Sequence, residues 1–325
     1  MMSGIPNSRW LFIAFVLISL AVTFVEDSIN PYFFQVIIYV GINIILASSL
    51  SLINGFAGQF SLGHAGFMAI GAYTSAYVSS LIVTSTDGFA ATALFPLILL
   101  SGGVMASLFG LLVGFPSFRV KGDYLAITTL GFGEIIRVVI QNLDFLGGAR
   151  GFTSIPRISN TFWVFSTVAL VVFVISNIVR STWGKGFLAI SEDEISAEAM
   201  GINSARYKMT AFATGAFFAG IAGALYAHFV TYINPSQFGF IRSIEIVVMV
   251  IVGGMHNIAG VVIAAVVLTI LPEALRPIAE YRMVIYSLML VVIMLTRPQG
   301  IFGTTRAFTD WRRKLLASFG AKGKA

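Results

Sequence analysis

The chain has 325 residues, of which 57% are hydrophobic and 10% charged, and its 20 Lys and Arg against 14 Asp and Glu give a formal net charge of +6. This composition, with a mean hydropathy of +0.91, excludes an ordinary soluble protein and favours an all-α, polytopic membrane helix bundle, because helices satisfy their own backbone hydrogen bonds in lipid. The absence of cysteine excludes disulfides and thiolate metal sites, and we attribute the positive charge to cytoplasmic loops rather than to nucleic-acid binding.

Apolar runs predict about ten transmembrane or re-entrant helices within a membrane domain over residues 1–303. They are Trp10–Val25, Phe33–Ile53, Leu62–Val83, Phe89–Phe115, Tyr124–Asn142, Thr161–Val179, Met209–Tyr232, Ile241–Gly254, Ile258–Leu275 and Ala279–Thr296. Tyr124–Asn142 carries two charges and Ile241–Gly254 is short, so each is open to crossing fully or re-entering.

The distribution of basic residues predicts that both termini lie inside. If all ten segments cross, 14 of the 20 Lys and Arg fall on one face, which includes the basic tail 304–325. The first segment is expected to be an anchor, since no small-residue cleavage site follows it. Within the tail, Phe308–Leu316 is typical either of a helix lying on anionic lipid or of a frayed basic end.

One long charged connection, Ser181–Lys208, interrupts the apolar pattern. The run Ser191–Met200 predicts a short amphipathic helix, with Ile190, Ile195 and Ala199 on one side and the acids largely on the other. We interpret the connection as a cytoplasmic contact for another protein, and the alternative is a merely solvated loop. The candidate contact residues are Glu192, Asp193, Glu194, Glu198 and Gly201.

Polar interruptions of the apolar segments are candidates for a translocation path. Asn54–Gly66 places Gln59, Ser61 and His64 among four glycines, which fits either a broken helix that binds solute or a tight turn. Glu134 and Arg137 are three residues apart and are expected to pair, either structurally or along a route. Glu245 could likewise be structural or lie along a route, but it has no evident partner.

A stripe of small residues repeats every four positions in the helix after the charged connection. Its members are Ala211, Gly215, Ala219, Gly223 and Ala227. Such a stripe predicts a close helix interface rather than a solute path.

Seven blocks of sequence, taken in order, together resemble the LivM type of branched-chain amino acid ABC transporter permease. The blocks are NGFAGQFSLGHAGFMAIGAY (54–73), GDYLAITTLGFGEIIRVV (122–139), GGARGFTSIP (147–156), LAISEDEISAEAMGINSARYKMTAF (188–212), AGIAGALYA (219–227), VGGMHNIAGVVIAA (252–265) and RPQGIFG (297–303). The resemblance implies a bacterial or archaeal plasma (inner) membrane permease that works with a second homologous permease, two cytoplasmic ATP-binding subunits and an extracytoplasmic solute-binding protein. It also implies that 181–208 contacts the ATPases. The general importer pattern is Glu-Ala-Ala followed three residues later by Gly, whereas here Gly201 directly follows Glu198-Ala199-Met200.

The chain itself is not expected to be an enzyme. It contains no GxxxxGK[ST] loop, and the nearest Gly-Lys, Gly184-Lys185, has no glycine at the required offset. ATP would therefore be hydrolysed by partner subunits, and this chain would bind no cofactor or metal. The alternative hypothesis is a stand-alone secondary transporter or channel for a small solute such as urea, amides or other amino acids.

Overall fold

The computed structural model describes residues 30–82, 89–117, 123–276, 281–296 and 300, and this part of the chain is an all-α membrane bundle. The helices are α1 (Pro31–Ser51), α2 (His64–Ile82), α3 (Phe89–Ser117), α4 (Asp123–Gln141), α5 (Thr161–Arg180), α6 (Thr182–Glu192), α7 (Glu194–Ala199), α8 (Ser204–Val230), α9 (Phe240–Gly253), α10 (Ile258–Ala274) and α11 (Arg282–Thr296). The predicted first segment, Trp10–Val25, and the tail 304–325 lie outside the described residues.

Nine of the ten predicted apolar segments coincide with helices, within a few residues at each end. Seven spans among the described residues are long and apolar enough to cross a membrane, and they include both Tyr124–Gln141 and Pro235–Gly253. The latter reaches this length because a 3₁₀ turn, Pro235–Phe238, precedes the 14-residue α9. The total of ten segments and the inward position of both termini remain predictions.

Helix α8 lies at the centre of the bundle and packs against α2 and α3, while α1 packs against α5, α8, α9 and α10. All five members of the small-residue stripe are buried in α8. A β-carbon added at Gly223 would lie 2.0 Å from the backbone oxygen of Met68, and one added at Gly215 would lie 2.5 Å from Cδ1 of Ile53. The stripe therefore allows α8 to approach α1 and α2 more closely than larger side chains permit.

The connection between α1 and α2 is a helix break inside the bundle. Helix α1 continues as a π-helix over Leu52–Phe56, and the chain then runs without helical structure to His64, so the helix predicted from Leu62 begins two residues later. Asn54 holds the break, because its Oδ1 accepts from the Ser61 amide at 3.1 Å and its Nδ2 donates to the Ser61 carbonyl at 3.3 Å. The far end is held by α4, where Thr129 Oγ1 accepts from the Leu62 amide at 3.0 Å.

The charged connection contains two short helices, so the prediction of one helix over Ser191–Met200 is wrong. The chain breaks at Asp193, which has extended backbone angles and whose Oδ1 accepts from the amides of Ile195 and Ser196. Asp193 is thus the N-cap of α7, and an N-cap residue cannot also continue the preceding helix. At the other end Gly201, with φ +85°, stops α7 while the amides of Gly201 and Ile202 donate to the carbonyls of Glu198 and Ala197.

Candidate functional site

Two ion pairs lie where α4 faces the start of α9. In the first, Arg137 Nε donates to Glu134 Oε2 at 2.7 Å, which is the pairing predicted from their spacing. The second carboxylate oxygen of Glu134 accepts from the backbone amide of Phe240 at 3.1 Å. The pair thereby ties α4 to the first residue of α9.

The second ion pair supplies the partner that the sequence analysis did not find for Glu245. Arg242 Nη1 donates to Glu245 Oε2 at 2.8 Å, and Arg242 Nη2 donates to Oδ1 of Asn43 at 2.6 Å. The same three-residue spacing that indicated the Glu134–Arg137 pair is present here, because Arg242 lies in the first turn of the predicted segment Ile241–Gly254, so this pair was predictable from the sequence.

These four charged side chains line one polar cleft of about 470 Å³. Its other lining residues are Ser236, Gln237, Gly239, Phe240 and Ile241. Asn43, which anchors Arg242, stands near the middle of the 26-residue span Pro31–Phe56, so the cleft lies about halfway through the bundle. Charged groups at that depth are costly in a membrane and are concentrated at solute and ion routes.

The other three path candidates, Gln59, Ser61 and His64, are buried and do not line this cleft. His64 Nε2 lies 2.9 Å from Ser49 Oγ of α1. Gln59 Oε1, Ser61 Oγ and His64 Nδ1 have no hydrogen-bond partner among the described residues. Their part in a translocation path stays a prediction.

The broken connection 57–63 reaches from the charged loop to the neighbourhood of the cleft. At one end, a β-carbon added at Gly58 would lie 2.9 Å from Cα of Ser191, the penultimate residue of α6. At the other end, a β-carbon added at Gly63 would lie 2.3 Å from the backbone oxygen of Thr129, and Gly63 also adjoins Gly133, next to Glu134. The connection thus contacts the charged loop at one end and, at the other, the stretch of α4 that precedes Glu134.

The charged loop presents an open surface. Glu192, Glu198 and Gly201 are exposed, and Ile195 and Met200 are 76% and 84% exposed. Glu194 is held differently, because Lys208 Nζ donates to its Oε1 at 2.6 Å. Of the predicted apolar face only Ile190 is buried, which leaves Ile195 free for a partner.

Asp193 remains ionised in this loop at neutral pH. Hydrogen bonds from the Ser196 hydroxyl and amide, and from the Ile195 amide, hold the pKa of the Asp193 carboxyl below its usual range. A lowered carboxyl pKa means that the cap stabilises α7 above the ordinary pKa of aspartate and is lost as the pH falls through the lowered value.

The fold and the cleft define a multi-pass membrane protein with a partly open, charged cleft between two of its helices and an exposed charged loop. Residues 32–294 match the family described as branched-chain amino acid transport system / permease component, and the chain belongs to that family.

Curated relatives support the same assignment. The high-affinity branched-chain amino acid transport system permease protein LivM of Escherichia coli K12 is 34% identical over 82% of this chain and 68% of its own length. LivH of the same organism is 24% identical over 80% of this chain and 90% of its own length. A probable LivM of Methanocaldococcus jannaschii is 22% identical over 89% of this chain and 98% of its own length. No solved structure matches the chain.

Proposed function

We propose that this chain is a membrane-spanning permease subunit of an ATP-binding-cassette importer that carries branched-chain amino acids across a bacterial or archaeal plasma (inner) membrane. The family match over residues 32–294 carries the proposal, because it covers nearly all the helices described above. Transport would proceed by alternating access, with the cleft between α4 and α9 opening in turn to the two sides.

The driving force would come from partner subunits. A second homologous permease is expected because LivM and LivH, two relatives from one organism, both match this chain. Two cytoplasmic ATP-binding subunits would dock on the exposed residues of 181–208, and an extracytoplasmic binding protein would deliver the solute. Gly184 and Lys185 lie inside helix α6, which is not the strand-loop-helix setting of a phosphate-binding loop.

Reconstitution tests this proposal. The chain should co-isolate with a second permease and ATP-binding subunits encoded beside it, and proteoliposomes of the complex should accumulate leucine only with ATP and the binding protein. A complex with an inactivated ATP-binding subunit is the matched control. Gradient-driven uptake by this chain alone would instead establish the stand-alone transporter, which family membership does not favour.

A further inference from the structure

The ion pairs of the cleft leave part of their hydrogen-bonding capacity unused. Arg137 donates to Glu134 through Nε, and its two Nη nitrogens have no hydrogen-bond partner among the described residues. Glu245 accepts from Arg242 through Oε2, and its Oε1 has no partner within the same part of the chain. The cleft therefore offers a free guanidinium edge and a free carboxylate oxygen.

The opposite members of the two pairs are fixed in place. Glu134 accepts from both Arg137 and the Phe240 amide, and Arg242 donates to both Glu245 and Asn43. Arg137 and Glu245 are thus positioned by groups that are themselves tied to the backbone of α9 and to the middle of α1. Preorganised charged groups of this kind bind a ligand with little loss of conformational entropy.

The cleft also has an apolar wall and a suitable size. Phe240 and Ile241 line it, and these residues are 42% and 75% exposed. A volume of about 470 Å³ falls within the range of small-molecule sites. A donor edge, an acceptor oxygen and an apolar surface match a carboxylate, an ammonium and an aliphatic side chain.

We propose that this cleft binds a zwitterionic, apolar α-amino acid, with the carboxylate on the Nη nitrogens of Arg137 and the ammonium on Oε1 of Glu245. This assignment rests on the proposed function and gives that function its binding residues within the membrane. Arg suits the carboxylate because its planar edge donates two parallel hydrogen bonds, which Lys does not reproduce.

The test is ligand binding to the purified transporter complex without its binding protein. Ligand-dependent increases in melting temperature would be titrated with leucine, with leucinamide, which lacks the carboxylate, and with 4-methylpentanoate, which lacks the ammonium. Leucine is expected to stabilise the complex at roughly tenfold lower concentration than either analogue, because each analogue loses one charged hydrogen-bonded contact.

Variants separate binding from folding. Arg137→Gln should weaken leucine binding about tenfold or more and abolish its advantage over leucinamide, and Glu245→Gln should abolish the advantage over 4-methylpentanoate. Arg137→Lys keeps the positive charge beside Glu134. This variant should therefore have the parent's melting temperature without ligand but should bind leucine more weakly. Arg150→Gln, an exposed arginine outside the cleft, is the matched control and should bind as the parent does.

The outcomes distinguish this inference from the proposed function. A complex that transports leucine but binds it equally well with Arg137→Gln and Glu245→Gln would overturn the inference alone. Equal stabilisation by all three ligands would overturn it as well. Cleft-dependent leucine binding by a complex without ATP-driven uptake would overturn the proposed function and support the cleft as a zwitterion site.

Discussion

At the scale of single residues, the charges at the cleft are arranged so that each is neutralised by a residue three positions away. Glu134 and Arg137 share one face of α4, and Arg242 and Glu245 share one face of α9. An unpaired charge at this depth would cost about 3 kcal/mol even on the mild insertion scale. Local pairing therefore keeps both helices compatible with a membrane while leaving atoms free for solute.

Replacing both members of the Glu134–Arg137 pair should be less harmful than replacing one. We expect Glu134→Gln and Arg137→Gln to lower the stability of the complex by roughly 1–3 kcal/mol each, because each leaves a charge without its partner. The double substitution should recover about 1 kcal/mol or more of the summed loss. The losses of stability are measured as melting temperature and membrane abundance of the single and double variants. Strictly additive losses would show that the two side chains act independently.

At the scale of helices, glycines set how closely α8 approaches its neighbours. At Gly223 the nearest obstacle to a β-carbon is the backbone of α2, whereas at Gly215 it is the Ile53 side chain, with the Ser49 carbonyl oxygen farther away at 3.1 Å. A backbone cannot move aside without shifting its helix, but a side chain can adopt another rotamer. The two positions therefore differ in how much added volume they accept.

A graded glycine series should expose this difference. Gly223→Ala is expected to destabilise the complex by roughly 1–3 kcal/mol, Gly215→Ala by less, and the corresponding leucine variants by more than either. Gly131→Ala is the matched control, since a β-carbon there meets no atom within 4 Å. Thermal unfolding in detergent ranks the variants by stability, and equal stability of all three alanine variants would contradict the packing argument.

The sequence predicts helices better than it predicts their interruptions. Runs of about 20 apolar residues must be helical in lipid, so the described segments were found with small errors at their ends. The break at 57–63 was open to two interpretations, because it depends on contacts such as Leu62 with Thr129, 67 residues away. By contrast, the break at Asp193 had a local signal, an aspartate just before a helical run, that the sequence analysis did not use.

At the scale of the whole molecule, the connection 57–63 lies between the charged loop and α4, the helix that carries Glu134 and Arg137 of the cleft. Phe187 of α6 packs in one cluster with Leu52, Phe56 and Ala57, so α6 lies against the end of α1 and the start of the break. A displacement of the loop would reach this connection directly. This arrangement would suit the proposed drive by partner ATP-binding subunits.

Reversing the exposed loop charges should therefore uncouple transport without unfolding the chain. Glu192→Lys with Glu198→Lys is expected to change the free energy of unfolding by no more than about 0.5 kcal/mol, because both side chains are exposed. ATP-driven uptake should fall tenfold or more. Arg150→Gln, exposed but outside this connection, should retain uptake, and normal uptake by the doubly reversed variant would refute a mechanical role.

The pairing of charges at the cleft also determines how transport responds to voltage. Glu134, Arg137, Arg242 and Glu245 sum to zero, and a zwitterion adds nothing to that sum. Moving the loaded or the empty cleft between the two sides consequently displaces no net charge through the electric field. A cationic or anionic solute would displace one charge, worth about 2.3 kcal/mol per 100 mV. Uptake of a neutral amino acid through this cleft should therefore proceed at the same rate whether the membrane is polarised or not.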